Sequence, residues 1–290
     1  MAEFTNRAAL NYNNKRTVSN IIKGNMIGTI DVTKFAAGEY YFPDDSVAYV
    51  VHVFNNSDAA LTNLKLTDDM GRYEKEGEFF TPLHYVEGSI LYFVNDTPAG
   101  NVTPVIDAET GEMTITGINI PLGGTAEFYY RAVANEYAPM GTLDEDKIVN
   151  RVVVERTTNA VEPWAAEETI YPGTEPRLSV TKKIDHDDLT EGEEVVYTFE
   201  IQNTGLAALA AGNDLVLTDV FDPMLDITSV TLNGRALTKD TDYTYDAAGV
   251  FTTTTTAIEI PAATYVRDED TGEYTAMPGT AILTITGTVI

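Results

Sequence analysis

The chain carries two copies of one strand-rich repeat, and this feature constrains its fold more than any other. Ile30–Lys34 (IDVTK) recurs 148 residues later as Leu178–Lys182 (LSVTK). Val47–Asn55 (VAYVVHVFN) recurs at the same 148-residue offset as Val195–Asn203 (VVYTFEIQN). Because each copy is longer than about 100 residues, the pattern indicates two tandem domains rather than a solenoid of short repeats.

Further matches extend the repeat toward its C-terminal half. Leu64–Asp68 (LKLTD) corresponds to Leu215–Asp219 (LVLTD) at an offset of 151 residues, so the preceding loop has grown by three residues. Later, Gly124–Ala126 (GTA) corresponds to Gly279–Ala281 (GTA). The second copy therefore repeats most of the first.

Side-chain alternation along the repeated segments predicts half-buried strands. Apolar side chains share one face of the longest segment, and polar side chains occupy the other face; the apolar set is Val195, Tyr197, Phe199 and Ile201. One dry face and one wet face are typical of an antiparallel sandwich. With 43% hydrophobic residues the chain can fill two such cores, and we predict an all-β fold of two sandwich domains.

A third match concerns the two ends of the repeats. Asn150–Val154 (NRVVV) closes the first copy, and Asn6–Leu10 (NRAAL) resembles it at the start of the chain. Each is followed by a polar segment and then by the first strand of a copy. Nothing equivalent follows the second copy before Ile290, so we predict that the second domain lacks its closing strand and that a spare copy lies at the N-terminus.

These matches predict a domain organisation with two linkers, the second of which is suggested by its prolines. The predicted segments are a donor strand at 1–12, a linker at 13–27, the first sandwich at 28–156, a linker at 157–177 and the second sandwich at 178–290.

Composition excludes several classes of function. The 45 acidic residues against 18 basic ones give a net charge of −27, which disfavours nucleic acid and anionic membranes as partners. The chain has no cysteine, and its acidic loops lack the ligand spacing of a calcium site, so we predict no metal and no cofactor. No apolar run is long enough to insert into a membrane, and the first ten residues lack the pattern of a standard signal peptide.

The second copy resembles a known bacterial repeat. The segments LSVTKKID, EGEEVVYTFEIQNTG and LVLTDVFDP are similar to the surface-protein repeat known as domain of unknown function eleven. The resemblance implies immunoglobulin-like β-sandwich domains and a structural role on the cell surface. It also implies a relation to short two-repeat proteins of spore-forming bacteria, with a spore appendage as one destination. The first copy departs from the pattern at Pro43–Asp45 and after Asn55.

Strand parity places three polar residues of the first copy on its core face. Lys34 shares the parity of Val32, Asp68 that of Leu66, and Asn150 that of the valines that follow it. A buried lysine is costly unless it is neutralised or paired. We therefore predict an isopeptide triad, in which neutral Lys34 attacks the Asn150 side chain, protonated Asp68 transfers protons and ammonia leaves. The resemblance supports this chemistry, because several sandwich domains of Gram-positive surface proteins use such a triad.

The second copy repeats two of these residues, and the spare strand carries the third. Lys182 and Asp219 occupy the matching positions, and Asn6 would complete the triad. An ordinary structural interpretation stays open for both sets. A lysine at a strand end often extends to solvent, an aspartate often caps a turn, and an asparagine often begins a strand.

The spare strand predicts self-assembly. A strand that closes no domain in its own chain fits the open second domain of another copy, and such head-to-tail contacts propagate into a fibre. Two alternatives stay open: the strand folds back onto its own second domain, or the chain is a piece of a longer repeat array.

No enzyme signature accompanies these features. The three histidines lack metal spacing, and the sequence has no nucleophile elbow, P-loop or dinucleotide fingerprint. We predict a non-enzymatic structural subunit of a cell-surface or spore-surface fibre. The alternative is an adhesin whose loops bind a host or carbohydrate ligand, which the sequence does not identify.

Overall fold

The computed structural model describes residues 2–12, 15–26, 30–157 and 163–290, and these residues contain strands and no α-helix. The all-β prediction is confirmed. The chain separates into two compact units, Met1–Asn135 with Ile148–Ile170, and Glu136–Lys147 with Tyr171–Ile290.

The N-terminal segment forms an antiparallel hairpin, and each of its two arms is divided into two short strands. Its strands are β1 (Ala2–Asn6), β2 (Ala9–Tyr12), β3 (Lys15–Val18) and β4 (Ile22–Met26). β1 pairs with β4 and β2 with β3, both antiparallel. The range predicted as a linker, 13–27, thus contains strands that pair with the predicted donor strand. Apolar side chains of the hairpin, including Leu10 and Ile22, are exposed.

Fourteen strands follow before the second copy of the repeat. They are β5 (Ile30–Ala36), β6 (Tyr40–Tyr41), β7 (Ser46–Asn55), β8 (Leu61–Asp68), β9 (Tyr73–Lys75), β10 (Glu78–Phe80), β11 (Leu83–Tyr85), β12 (Leu91–Val94), β13 (Thr97–Pro98), β14 (Val105–Ile106), β15 (Met113–Ile120), β16 (Thr125–Ala134), β17 (Ile148–Arg156) and β18 (Trp164–Pro172). One sheet has the order β13-β12-β16-β7-β5, with β11 also on β16, and the other has the order β14-β15-β8-β17-β18-β6.

The core of the first unit lies between these two sheets. Inward residues of β7 and β16, such as Val51 and Phe128, are fully or almost fully buried, as are Leu66 on β8 and Val152 on β17. The alternation is that of the sequence, because successive side chains of a strand point to opposite faces. β17 occupies the predicted closing position, between β8 and β18.

Part of the range predicted as the second linker, 157–177, is a strand. Trp164–Pro172 forms β18, which pairs with β17 over seven residue pairs from Ile148↔Ile170 to Val154↔Trp164. The prolines that suggested a linker flank this strand, since Pro163 precedes it and Pro172 ends it. A proline is tolerated at a strand end, where its missing N–H breaks no interior ladder bond.

The second unit has ten strands. They are β19 (Leu178–Ile184), β20 (Glu194–Asn203), β21 (Thr218–Val220), β22 (Leu225–Leu232), β23 (Arg235–Ala236), β24 (Tyr243–Tyr245), β25 (Val250–Thr253), β26 (Thr264–Arg267), β27 (Tyr274–Met277) and β28 (Gly279–Val289). One sheet has the order β19-β20-β28-β22-β23, a second has the order β21-β25-β24, and β26 pairs with β27. Val195, Phe199 and Ile201 join its buried core, as the alternation predicted.

The repeated asparagines at the ends of β7 and β20 hold loops in place. Asn203 is fully buried, and its Nδ2 donates to the carbonyls of Ala207 and Pro261 at 2.8 and 2.9 Å. Its Oδ1 accepts from the N–H groups of Arg177 and Gly205, both at 2.9 Å. Asn55 anchors loops of the first unit in the same way, donating to the carbonyls of Ala59 and Pro121 and accepting from the N–H of Ser57. These side chains satisfy backbone groups that the loops would otherwise leave unpaired.

Candidate functional site

The structure brings the first predicted triad together in the core of the first unit. Lys34 lies on β5, Asp68 ends β8 and Asn150 lies on β17. All three are buried, with exposed fractions of 3% for Lys34 and 0% for the other two. Parity therefore assigned their faces correctly, and the two sheets bring these faces against each other.

Asp68 is the centre of the cluster. Its Oδ2 accepts a hydrogen bond from Nζ of Lys34 at 2.7 Å, and both side chains are completely buried. The same Oδ2 accepts from the Tyr130 hydroxyl at 2.5 Å. Its Oδ1 accepts from the N–H of Met70 at 3.1 Å, in the turn that follows β8. One carboxylate thus holds an amine and a phenol, and the turn fixes its orientation.

Asn150 approaches the cluster through the same phenol. Its Nδ2 donates to the Tyr130 hydroxyl at 3.5 Å, which is the outer limit of a hydrogen bond. Its Oδ1 is buried and has no hydrogen-bond partner among the described residues. Buried polar atoms are rarely left unpaired, so this amide oxygen is a feature that calls for an explanation.

Tyr130 and Tyr49 belong to the site, although sequence analysis did not select them. They pair across β16 and β7, and their rings stack with centroids 5.5 Å apart. Nζ of Lys34 lies 5.2 Å from the Tyr49 ring centroid and 6.0 Å from that of Tyr130. The available signal was a tyrosine at an inward position of each central strand, because a buried phenol needs a polar partner.

Burial dominates the electrostatics of the site. It lowers the pKa of Lys34 below its ordinary value, and the neighbouring Asp68 opposes this shift. It raises the pKa of Tyr130 well above its ordinary value, and the Asp68 carboxylate adds to the rise. The adjacent Asp69 also has a raised pKa through burial, although N–H groups of Arg151 and Gly71 bind its carboxylate. A low dielectric thus favours the neutral amine that nucleophilic attack requires.

The second predicted site is assembled only in part. Nζ of Lys182 on β19 lies 2.5 Å from Oδ2 of Asp219 on β21. The Lys182 side chain is 40% exposed, whereas that of Lys34 is 0% exposed. The ring centroids of Tyr197, Phe221 and Phe199 lie 4.7, 5.1 and 5.5 Å from Nζ of Lys182. The ion pair between Lys182 and Asp219 therefore forms, but Lys182 is exposed to solvent, whereas parity predicted that it would lie in the buried core.

The third predicted residue of that site, Asn6, is not part of the second unit. Asn6 belongs to the first unit, where it pairs with Ile22 in the hairpin, and its side chain is exposed. The second site also lacks a counterpart of the Tyr130 hydroxyl. Tyr130 pairs with Tyr49 in the first unit, but the residue that pairs with the equivalent Tyr197 in the second unit is Ile285.

The described part of the chain contains neither a metal-binding cluster nor a membrane-spanning helix. No group of three or more histidine, cysteine or acidic side chains is arranged to hold a metal ion there. No helix there is long and apolar enough to cross a membrane.

Residues 175–281 match the family model described as the Sgo0707 N2 domain. No curated protein matches the chain by sequence. The resemblance to domain of unknown function eleven stays a prediction.

Three solved structures similar to this chain are a pilin, the RrgA Jo.In complex and a domain of an adhesin. The full-length major pilin SpaD from Corynebacterium diphtheriae has a TM-score of 0.38 and 13% identity, covering 86% of this chain and 59% of the pilin. The RrgA Jo.In complex has a TM-score of 0.37 and 10% identity, covering 48% and 78%. The collagen-binding domain of a Staphylococcus aureus adhesin has a TM-score of 0.30 and 10% identity, covering 48% and 96%. Because all three scores are low, we base no functional conclusion on them.

Proposed function

We propose that this chain is a structural subunit of a bacterial surface or spore appendage fibre. Each subunit donates its N-terminal strand to the open second unit of the next copy. The fibre is held first by strand pairing and then by Lys–Asn isopeptide bonds. The open half of the second unit is the observation that carries this proposal.

The first unit provides the reference for a closed domain. There β17 pairs with β8 on one side and β18 on the other. Its inward side chains lie over β5, whose own inward residues Ile30 and Val32 are only 4% and 9% exposed. The closing strand thus covers both the edge of β8 and the inner face of β5.

The second unit has the same two surfaces without a cover. Among the described residues β21 pairs only with β25, so the edge that corresponds to the β17 side of β8 is free. On β19, Leu178 and Val180 correspond to Ile30 and Val32 and are 43% and 59% exposed. An open sheet edge beside an exposed apolar strand is a surface that natural β proteins rarely leave bare.

The N-terminal hairpin has the features of the missing cover. Asn6, Ala8 and Leu10 correspond in sequence to Asn150, Val152 and Val154. Leu10 is 66% exposed, whereas Val154 is fully buried. The hairpin also supplies a return strand beside this segment, as β18 lies beside β17.

A second copy is the occupant that we propose for the open surface. In the single chain the hairpin pairs with itself and its described side chains stay exposed. A strand from one subunit bound to a different surface of the next is a heterologous contact, which propagates unless its rotation closes a ring. Strand donation therefore accounts for the exposed hairpin and the open sandwich together.

The covalent step follows from the buried cluster. In this coupling Nζ of Lys34 forms a bond to Cγ of Asn150, the Cγ–Nδ2 bond breaks, and ammonia leaves. The lowered pKa of Lys34 and the unpaired amide oxygen of Asn150 support it. The same reaction of Lys182 with Asn6 of the neighbouring subunit makes the fibre covalently continuous.

Complementary variants test the head-to-tail contact. Leu10→Asp places a charge on the donor strand and leaves the acceptor intact, whereas Val180→Asp damages the acceptor and leaves the donor intact. Each variant alone is expected to be monomeric by light scattering, and an equimolar mixture is expected to form one-to-one dimers. Leu122→Asp, at an exposed apolar position of a turn, is the matched control and should polymerise like the parent.

Three results would contradict strand donation between copies. A mixture that stays monomeric, or a parent that is monomeric at every concentration, refutes the intersubunit contact. A monomeric parent whose second unit is destabilised by Leu10→Asp instead identifies folding back within one chain. For the covalent step, boiled denaturing gels should show a ladder that Lys182→Ala removes. The parent should weigh about 17 Da less than its sequence mass per internal bond, a deficit that Lys34→Ala abolishes.

A further inference from the structure

We propose that Tyr130 is a catalytic residue of the Lys34–Asn150 coupling and carries the proton that the leaving ammonia requires. This inference rests on the proposed coupling and adds a group outside the triad. Its basis is position, since the Tyr130 hydroxyl lies between Oδ2 of Asp68 at 2.5 Å and Nδ2 of Asn150 at 3.5 Å.

The leaving group poses the chemical problem. An amide nitrogen departs as ammonia only when it gains a proton, because the amide anion is far too basic to leave. Among the contacts of Asp68, neither oxygen bonds directly to the Asn150 side chain; Oδ2 accepts from Lys34 and Tyr130, and Oδ1 from Met70. The phenol is the group that bonds to both the carboxylate and the amide nitrogen.

The proton transfers balance through this chain of contacts. Lys34 first passes a proton to Asp68 across their 2.7 Å contact and becomes a neutral amine. Nζ then attacks Cγ of Asn150, and Oδ1 takes the electron pair of the carbonyl. Tyr130 gives its proton to Nδ2 while it accepts the proton of Asp68. Asp68 takes the second proton from Nζ, the carbonyl reforms, and ammonia leaves and finally receives that proton as ammonium.

The surroundings of the Tyr130 hydroxyl favour proton transfer by the neutral phenol over formation of a phenolate. Tyr130 is 2% exposed, and its pKa is raised well above the ordinary value by burial and by Asp68. The phenol therefore stays protonated throughout and passes protons in a concerted way. Its ring is held between the stacked Tyr49 and the core, so the hydroxyl stays on the Asp68–Asn150 line.

The repeat offers an internal contrast. In the second unit the position that pairs with Tyr197 is Ile285, whereas Tyr130 pairs with Tyr49. Lys182 and Asp219 therefore have no hydroxyl from this strand. The relay belongs to the site that closes within one unit, where the amide is already in place.

The experiment compares the full-length parent with Tyr130→Phe, which removes the hydroxyl and keeps the ring. The coupled fraction is followed over time after synthesis by the loss of about 17 Da in intact mass. Coupling in Tyr130→Phe is expected to be about 100-fold slower, in the range of general acid–base contributions. Tyr129→Phe is the matched control, because Tyr129 lies on the outer face of the same strand, where its hydroxyl donates to Glu127 at 3.0 Å, and it should couple at the parental rate.

The results distinguish failure of the coupling itself from failure of the role of Tyr130. If the parent loses no ammonia, the coupling itself is refuted, and the role of Tyr130 with it. If the parent and Tyr130→Phe couple at the same rate, the role of Tyr130 is overturned while the coupling stands. A purely structural role predicts slowing only in proportion to lost folding, with an unchanged solvent deuterium effect. The relay predicts a slow but folded variant whose solvent deuterium effect differs from that of the parent.

Discussion

Replacing Asp68 with alanine tests whether the buried cluster is organised around one carboxylate. The substitution removes the partner of Lys34 and of the Tyr130 hydroxyl in a site that is closed to solvent. Breaking a buried ion pair by removing one partner typically costs about 3–5 kcal/mol, because the remaining charge is buried without compensation. A covalent bond in the parent would add to this loss, since Asp68→Ala would prevent it as well.

The expected change is large relative to the stability of a domain, which is about 5–15 kcal/mol. With a urea dependence of about 2 kcal/mol per molar, the unfolding midpoint of the first unit should fall by about 2 M. Trp164 is the only tryptophan and lies on β18, so its fluorescence reports the unfolding of the first unit.

Asp219→Ala in the second unit is the matched control. It removes the equivalent carboxylate, but the Lys182 side chain is 40% exposed and that of Asp219 is 19% exposed. Water solvates the remaining lysine, so the loss should be about 1 kcal/mol or less, measured by circular dichroism. If Asp68→Ala lowers the stability of its unit no more than Asp219→Ala does, the cluster is not the buried, coupled site described above.

Three further predictions concern the backbone, a loop anchor and pH. Gly279→Ala should prevent the second unit from folding stably, because a Cβ there would lie 1.9 Å from the Pro261 carbonyl oxygen; Gly38→Ala, with open space, should leave the melting temperature unchanged. Asn203→Ala should lower the free energy of unfolding by about 3 kcal/mol in urea, because it leaves buried N–H and carbonyl groups without hydrogen-bond partners. A loss below about 1 kcal/mol would contradict the anchoring role of Asn203. In Asn150→Ala, which cannot couple, the lowered pKa of Lys34 means that the unfolded chain binds the proton more tightly. Stability should therefore rise with pH from that lowered pKa up to about pH 10, and adding Lys34→Met should flatten the rise.

The sequence alone determined the fold class and the faces of the strands. Because side chains alternate with a period of two, the residues flanking Lys34, Asp68 and Asn150 were sufficient to assign all three to the core. The repeat likewise identified β17 as the closing strand of the first unit. These inferences depend only on short-range geometry along one strand, which sequence records directly.

The tertiary structure decided what lies across the sandwich and what covers each face. Parity assigned Lys182 to the same face as Lys34, but only the absence of a strand over β19 leaves it exposed in the described chain. The contact of Tyr130 with Asp68 joins residues 62 positions apart on different sheets. The place of β18 in the same sheet as β8 depended on its pairing with β17. Register and packing between sheets are set by the whole core, so no local pattern contains them.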